Sequence, residues 1–154
     1  MKTLVGIGNR LSMDDGVGPI VAQRMVGVAG WLAIDCGTAL ENVVGQIGRD
    51  GPMDVVLVDA ARMGLPAGSI RRLPILSMDQ MLASTHGLPL SFAVQQMGCQ
   101  VSHITLVGVE PDDVSLGEGL SPAVRRAADR LVSILSSDQL ETIEVWQARP
   151  GGEL

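Results

Sequence analysis

The chain predicts an α/β domain in three layers, α/β/α, built around a mostly parallel sheet. Two observations carry this. Apolar runs of strand length alternate with longer segments of helical spacing, and Gly, Pro, Asp or Ser clusters mark the joins. One of those runs, Val55-Val56-Leu57-Val58, is apolar without a break, as a strand covered on both faces must be.

The elements follow in order. Thr3 to Ile7 is a strand turned by Gly6-Ile7-Gly8-Asn9, and from about Gly16 to Val26 the residues Val17, Ile20, Val21 and Met25 recur on one face of a helix. Trp31 to Asp35 is the second strand, Glu41 to Arg49 a short helix, and Asp54 to Asp59 the third strand, central by its apolarity. Leu65-Pro66-Ala67-Gly68 is turn chemistry, and Ser69 to Leu73 is a fourth strand whose paired Arg71 and Arg72 suit a sheet edge. Its connection to the third strand is too short for a helical crossover, so it runs antiparallel. Ser77 caps a short helix near Met78 to Leu82, and the polar turn Ser84-Thr85-His86-Gly87 precedes another helix from about Pro89 to Met97. Ile104 to Val109 is the fifth strand, with His103 just before it, and Glu110-Pro111-Asp112 ends it. Ser121 as N-cap and Pro122 at the first helical position open an amphipathic last helix to about Leu135. The sheet is thus five-stranded and mixed. With 154 residues there is mass for one core, so residues 1–147 read as a single domain and 148–154 as a loose tail.

Composition removes several function classes. The net charge is −6, Lys2 is the sole lysine, and Trp31, Phe92 and Trp146 are the only aromatics. Phosphate-backbone affinity rests on Lys and Arg, and single-strand binding on stacked aromatic rings, so no nucleic-acid partner is expected. The N-terminal apolar run is too short for a signal-peptide core, and the run from Met25 to Ile34, broken by Gly27 and Gly30, is shorter than the roughly 20 residues a spanning helix needs. Cys36 and Cys99 lack zinc-like spacing and read as buried free thiols in a reducing compartment, which predicts a cytoplasmic protein without membrane insertion.

Gly6, Gly8 and Asn9 begin like a dinucleotide-binding turn, but the third glycine of that pattern falls on Leu11. Asp14 and Asp15 then stand where a pyrophosphate would need backbone amides free of competing negative charge. A cation fits this strand end better. Asp14 suits a helix-capping role, complementing the helix dipole. Asp59 ends the third strand, and a carboxylate there must be solvated, paired or coordinated. In open parallel sheets ligands bind beyond the carboxyl ends of the strands, so Asp15 and Asp59 converge if the first and third strands are neighbours. Asp35 ends the second strand, where capping and catalysis both stand open. His86, exposed in its turn, could add an imidazole to the two carboxylates, a set suited to a borderline cation such as nickel or zinc. No Gly-x-Ser-x-Gly elbow supports serine catalysis, and a cysteine nucleophile is the minority reading beside burial.

The ordered set Gly8-Asn9, Met13-Asp14-Asp15-Gly16-Val17-Gly18-Pro19, Asp35-Cys36-Gly37-Thr38-Ala39 with Glu41-Asn42, Val58-Asp59-Ala60, and Thr85-His86-Gly87-Leu88-Pro89-Leu90 resembles the maturation endopeptidases of nickel-iron hydrogenases. The resemblance is closest to the formate-hydrogenlyase-type branch. It implies a phosphorylase/hydrolase-like five-stranded mixed sheet between helices, and an aspartyl-type protease that removes a C-terminal peptide from the hydrogenase large-subunit precursor after nickel insertion. The family's nickel-contacting positions fall on Asp15, Asp59 and His86, which makes nickel a recognition element borne by the substrate. No permanently bound cofactor is expected. Asp15 and Asp35 are the candidates for activating water. Cys36 stands where relatives often have glycine. Peptidyl-tRNA hydrolase is the alternative, with a similar fold and Gly-x-Gly-Asn turn, but its catalytic histidine should follow soon after that turn, whereas here the next is His86. A non-enzymatic nickel-binding module using the same ligands is the third reading.

Overall fold

The structure, a computed structural model, describes residues 1–43, 45–47, 53–74 and 101–147. The expected helices at 78–82 and 89–97, the turn carrying His86, Cys99 and the tail 148–154 lie outside the described residues.

Five strands form one sheet: β1 (Lys2–Gly6), β2 (Trp31–Asp35), β3 (Met53–Ala60), β4 (Ile70–Leu73) and β5 (Val101–Val109), in the order β2-β1-β3-β5-β4. All neighbours are parallel except β4, which runs antiparallel to β5 at the edge, as the short connection requires. The apolar β3 is the middle strand. Helix α1 (Val17–Met25) crosses from β1 to β2, and the chain then returns to β3 on the far side of β1. That reversal opens a crevice at the carboxyl ends of β1 and β3.

Alternation along the strands builds a core on each face. Leu4, Val56, Val58, Val107 and Val109 pack with Val17, Val21 and Met25 of α1 and with Val124, Leu131 and Leu135 of α2 (Pro122–Ser136). Val5, Ile7, Val55, Leu57 and Leu106 point the other way and meet Leu40, Val43, Ile47 and Met63. Each fully buried Leu or Val contributes about 1.5–3 kcal/mol of transfer free energy, so the two-sided burial of β1 and β3 makes them the firmest part of the sheet. Helices cover the first face, and the helices expected over the second lie outside the described residues.

Three local expectations change. The segment predicted as a helix over Glu41–Arg49 is a single 3-10 turn, Leu40–Asn42, followed by turns at 43 and 45–47. Its apolar positions bury as helical spacing suggests, but β-branched Val43 and Gly45 give it weak helix propensity. Strand β5 starts at Val101, so His103 lies within it, opposite Asp54 on β3, with Nδ1 3.2 Å from that carboxylate. The β4 edge is not open: Arg72 N–H donates to Glu144 O and Trp146 N–H to Arg72 O, both at 2.8 Å, while the Arg72 guanidinium reaches Ile143 O. A C-terminal strap therefore blunts the edge.

Candidate active site

Register sets the site. Gly6 on β1 lies opposite Asp35 on β2 and Val58 on β3, so Asp59 emerges one residue beyond the line of strand ends. Helix α1 begins directly on this ledge because Gly18 has no side chain: a Cβ there would sit 2.3 Å from Val58 O and 2.4 Å from Ile7 O. Gly8, at φ +143°, is the second requirement, since a Cβ would lie 1.8 Å from Asp15 O and 3.5 Å from Asp59 Oδ1. The glycines that imitate a nucleotide loop serve instead to bring two carboxylate-bearing segments together.

Asp15 is 5% exposed and Asp59 fully buried. The Asp15 Oδ2 accepts the Asn9 N–H at 2.9 Å, and Asp59 Oδ1 accepts the Ala60 N–H at 2.7 Å. Among the described residues Asp59 Oδ2 has no hydrogen-bond partner. Burial first, and the neighbouring Asp15 charge second, push the Asp59 carboxyl well above the usual carboxylate range. Two buried carboxylates thus lie close enough for the charge of Asp15 to act on Asp59.

Asp35 stands apart from this pair. Its Oδ1 accepts the Gly37 N–H at 2.9 Å and its Oδ2 lies 3.2 Å from the Arg10 guanidinium, with both side chains roughly two-fifths exposed (40% and 42%). It lines a cleft of about 340 Å³ with Gly8, Asn9, Arg10 and Thr38, so a water there can reach it. Cys36 is pushed up to about 12 by burial, with Asp59 and Asp35 adding to the effect. It stays a thiol, and the cysteine-nucleophile reading loses its support. The third expected ligand, His86, lies outside the described residues.

Asp14 does something different from what was expected of it. It does not cap the helix. Fully buried, it accepts the Asp112 and Asp113 N–H groups at 2.8 and 3.0 Å and the Ser121 N–H at 2.7 Å. The Ser121 hydroxyl, expected to cap α2, donates to Asp14 instead at 2.8 Å. Asp14 thus pins the loop after β5 to the loop that presents Asp15. Asp14→Ala should strand these donors and lower stability by about 3–5 kcal/mol, read as a fall in Tm of roughly 10 °C by calorimetry. Glu110 plays a similar part that sequence reading missed: its Oε1 accepts the Met63 and Leu65 N–H groups at 2.7 and 3.1 Å, holding the chain that leaves Asp59. The clue was a carboxylate directly after the apolar end of a strand, Leu106-Val107-Gly108-Val109.

The crevice at the switch point of this mixed sheet, with two buried carboxylates in it, is where an α/β fold binds its ligand. Comparison with known proteins supplies the family. The family model described as hydrogenase maturation protease, HycI, matches residues 21–138. The hydrogenase 3 maturation protease of Escherichia coli strain K12 is 27% identical over 151 residues, covering 96% of this chain and 92% of the relative. The solution structure of the endopeptidase HycI from Escherichia coli superposes with a TM-score of 0.86 at 26% identity, over 97% of this chain and 99% of that one. The crystal structure of the nickel-iron hydrogenase maturation protease HycI from Thermococcus kodakarensis KOD1 does so with a TM-score of 0.73 at 32% identity, covering 90% and 91%. The chain belongs to the hydrogenase maturation protease family and is a peptide-bond hydrolase. Membership sets aside the peptidyl-tRNA hydrolase alternative.

Proposed function

We propose that this enzyme removes the C-terminal peptide of a hydrogenase large-subunit precursor and recognises, through Asp15, Asp59 and His86, the nickel which that substrate carries. The observation that supports this reading is Asp59: a fully buried carboxylate beside a second one, with one oxygen lacking a donor among the described residues. Nickel held by the precursor would supply the missing charge. A precursor without it offers no differential contact to favour the cleavable arrangement, so loading becomes the condition for cutting.

Hydrolysis is then of the carboxylate-dependent, aspartyl type. Asp35 is assigned the activation of water, since it alone of the three described carboxylates expected at the site stands half-exposed on the cleft wall. Asp15 is the alternative base. We place the enzyme in the cytoplasm, where a free thiol such as Cys36, half-buried rather than buried as expected, stays reduced. No helix among the described residues is long and apolar enough to cross a membrane.

Incubating the purified chain with nickel-loaded and nickel-free precursor, and measuring large-subunit mass, tests the reading. Loss of a C-terminal peptide from the loaded form only is the expected result. Equal cutting of both forms would remove the metal from recognition, and binding without any mass change would favour the nickel-binding module.

A further inference from the structure

Leu11 and Leu116 are left 54% and 90% exposed, and the fold sets them side by side. Ser12 and Gly117 form a parallel bridge, in which Gly117 N–H donates to Leu11 O at 2.8 Å and Met13 N–H to Gly117 O at 2.9 Å. The bridge sets the backbones of Leu11 and Leu116, the residues before its two partners, beside each other, and both side chains are exposed. The two leucines therefore make one apolar lip. A single exposed leucine needs no explanation; a pair drawn from two loops and held in register does.

Hydrogen bonds tie the lip into the site's surroundings. Asp14, buried between the loops, ties their backbones together through Asp112, Asp113 and Ser121. Leu11 N–H donates to Asn9 Oδ1 at 2.9 Å, and the same Asn9 donates its N–H to Asp15. One continuous stretch of chain carries both the exposed leucine and the metal-facing carboxylate. Around Leu116 the exposed charges are negative, Asp112, Asp113 and Glu118, and the exposed Arg10 beside Leu11 is paired with Asp35.

We propose that this lip is the docking surface for the substrate protein, seating an apolar patch with a basic rim on the hydrogenase precursor next to the crevice. The inference rests on the function proposed above and names the partner surface for it. A protease that cuts one bond in one protein draws its selectivity from contacts away from the reacting atoms, and an acidic rim steers a basic partner on approach. Two leucines buried on docking are worth about a tenfold or greater change in affinity.

The test compares wild type with Leu116→Ser and with Leu11→Ser/Leu116→Ser, measuring Kd for nickel-loaded precursor by calorimetry alongside KM and kcat for processing. At 90% exposure Leu116 has almost no burial to lose, so its single variant separates docking from folding. Expected are unchanged Tm, Kd and KM raised about tenfold or more in the double variant, and kcat within about twofold. Asp112→Asn/Glu118→Gln should weaken the salt dependence of association. Unchanged Kd and KM in the double variant would overturn the docking surface and leave the protease reading intact. A wild-type chain that binds but does not cut, with binding lost in the double variant, supports the surface while overturning the activity.

Discussion

Asp15→Ala is expected to reduce processing of nickel-loaded precursor by about 10²–10⁴-fold, the range over which a positioned carboxylate contributes to proton transfer or charge stabilisation. The protein should still fold. The substitution removes the acceptor for Asn9 N–H, a loss of about 1–2 kcal/mol, but it also removes one of the two charges crowded into the crevice and so relieves Asp59. Large-subunit mass after incubation gives the activity, and calorimetry of the free enzyme gives the stability. The adjacent Asp14 is the internal control, because its carboxylate is spent on four donors, the Asp112 and Asp113 N–H groups and the Ser121 N–H and hydroxyl. Neighbouring acids should thus give opposite phenotypes, with activity lost at Asp15 and stability lost at Asp14. Retention of more than about a tenth of wild-type activity in Asp15→Ala would refute its place in the site.

Much of this arrangement was legible in the chain because the signals were two-dimensional ones. The unbroken apolar run at Val55–Val58 requires cover on both faces, and the structure makes β3 the middle strand. The short connection after Asp59 forces antiparallel pairing of β4. Both conclusions use only chain length and side-chain character. What the chain withheld depends on contacts between distant residues. Nothing local in Met13-Asp14-Asp15 says that Asp14 meets residue 121, so capping was the natural reading and the wrong one. Nothing local at Gly8 says that its missing side chain is needed to seat Asp15 against Asp59. The edge suggested by Arg71 and Arg72 is real, yet the strap of residues 144–146 that covers it has no pattern of its own. Convergence of Asp15 and Asp59 followed from a topological rule conditional on β1 and β3 being neighbours, which the sheet order satisfies.

Asp59→Asn should abolish processing and, at neutral pH, make the free enzyme more stable. The carboxyl of Asp59 is buried at full depth, and the Asp15 charge beside it adds to the cost of ionising it, so its pKa in the folded chain lies well above the value near 3.9 that it has when unfolded. Between those two values the folded state holds a proton that the unfolded state has released. The stability slope is set by protons bound unfolded minus protons bound folded, and it is negative here, so stability falls as pH rises through that window. Below the unfolded pKa both states are protonated and the effect vanishes. Asparagine keeps the shape and the acceptor for Ala60 N–H, never ionises, and can donate its amide toward the Asp15 carboxylate. A gain of about 0.5–2 kcal/mol is expected near pH 7, within the usual range for relieving a functional site, and it amounts to a few degrees in Tm. The gain should shrink toward pH 4. Activity moves the other way, because a neutral amide gives a divalent cation far less than a carboxylate does. Melting curves of wild type and Asp59→Asn across pH 4–8, with processing assays beside them, decide the matter. A variant less stable than wild type at pH 7, or an advantage that grows as pH falls, would mean that Asp59 is held for folding rather than kept at a cost for the metal its substrate brings.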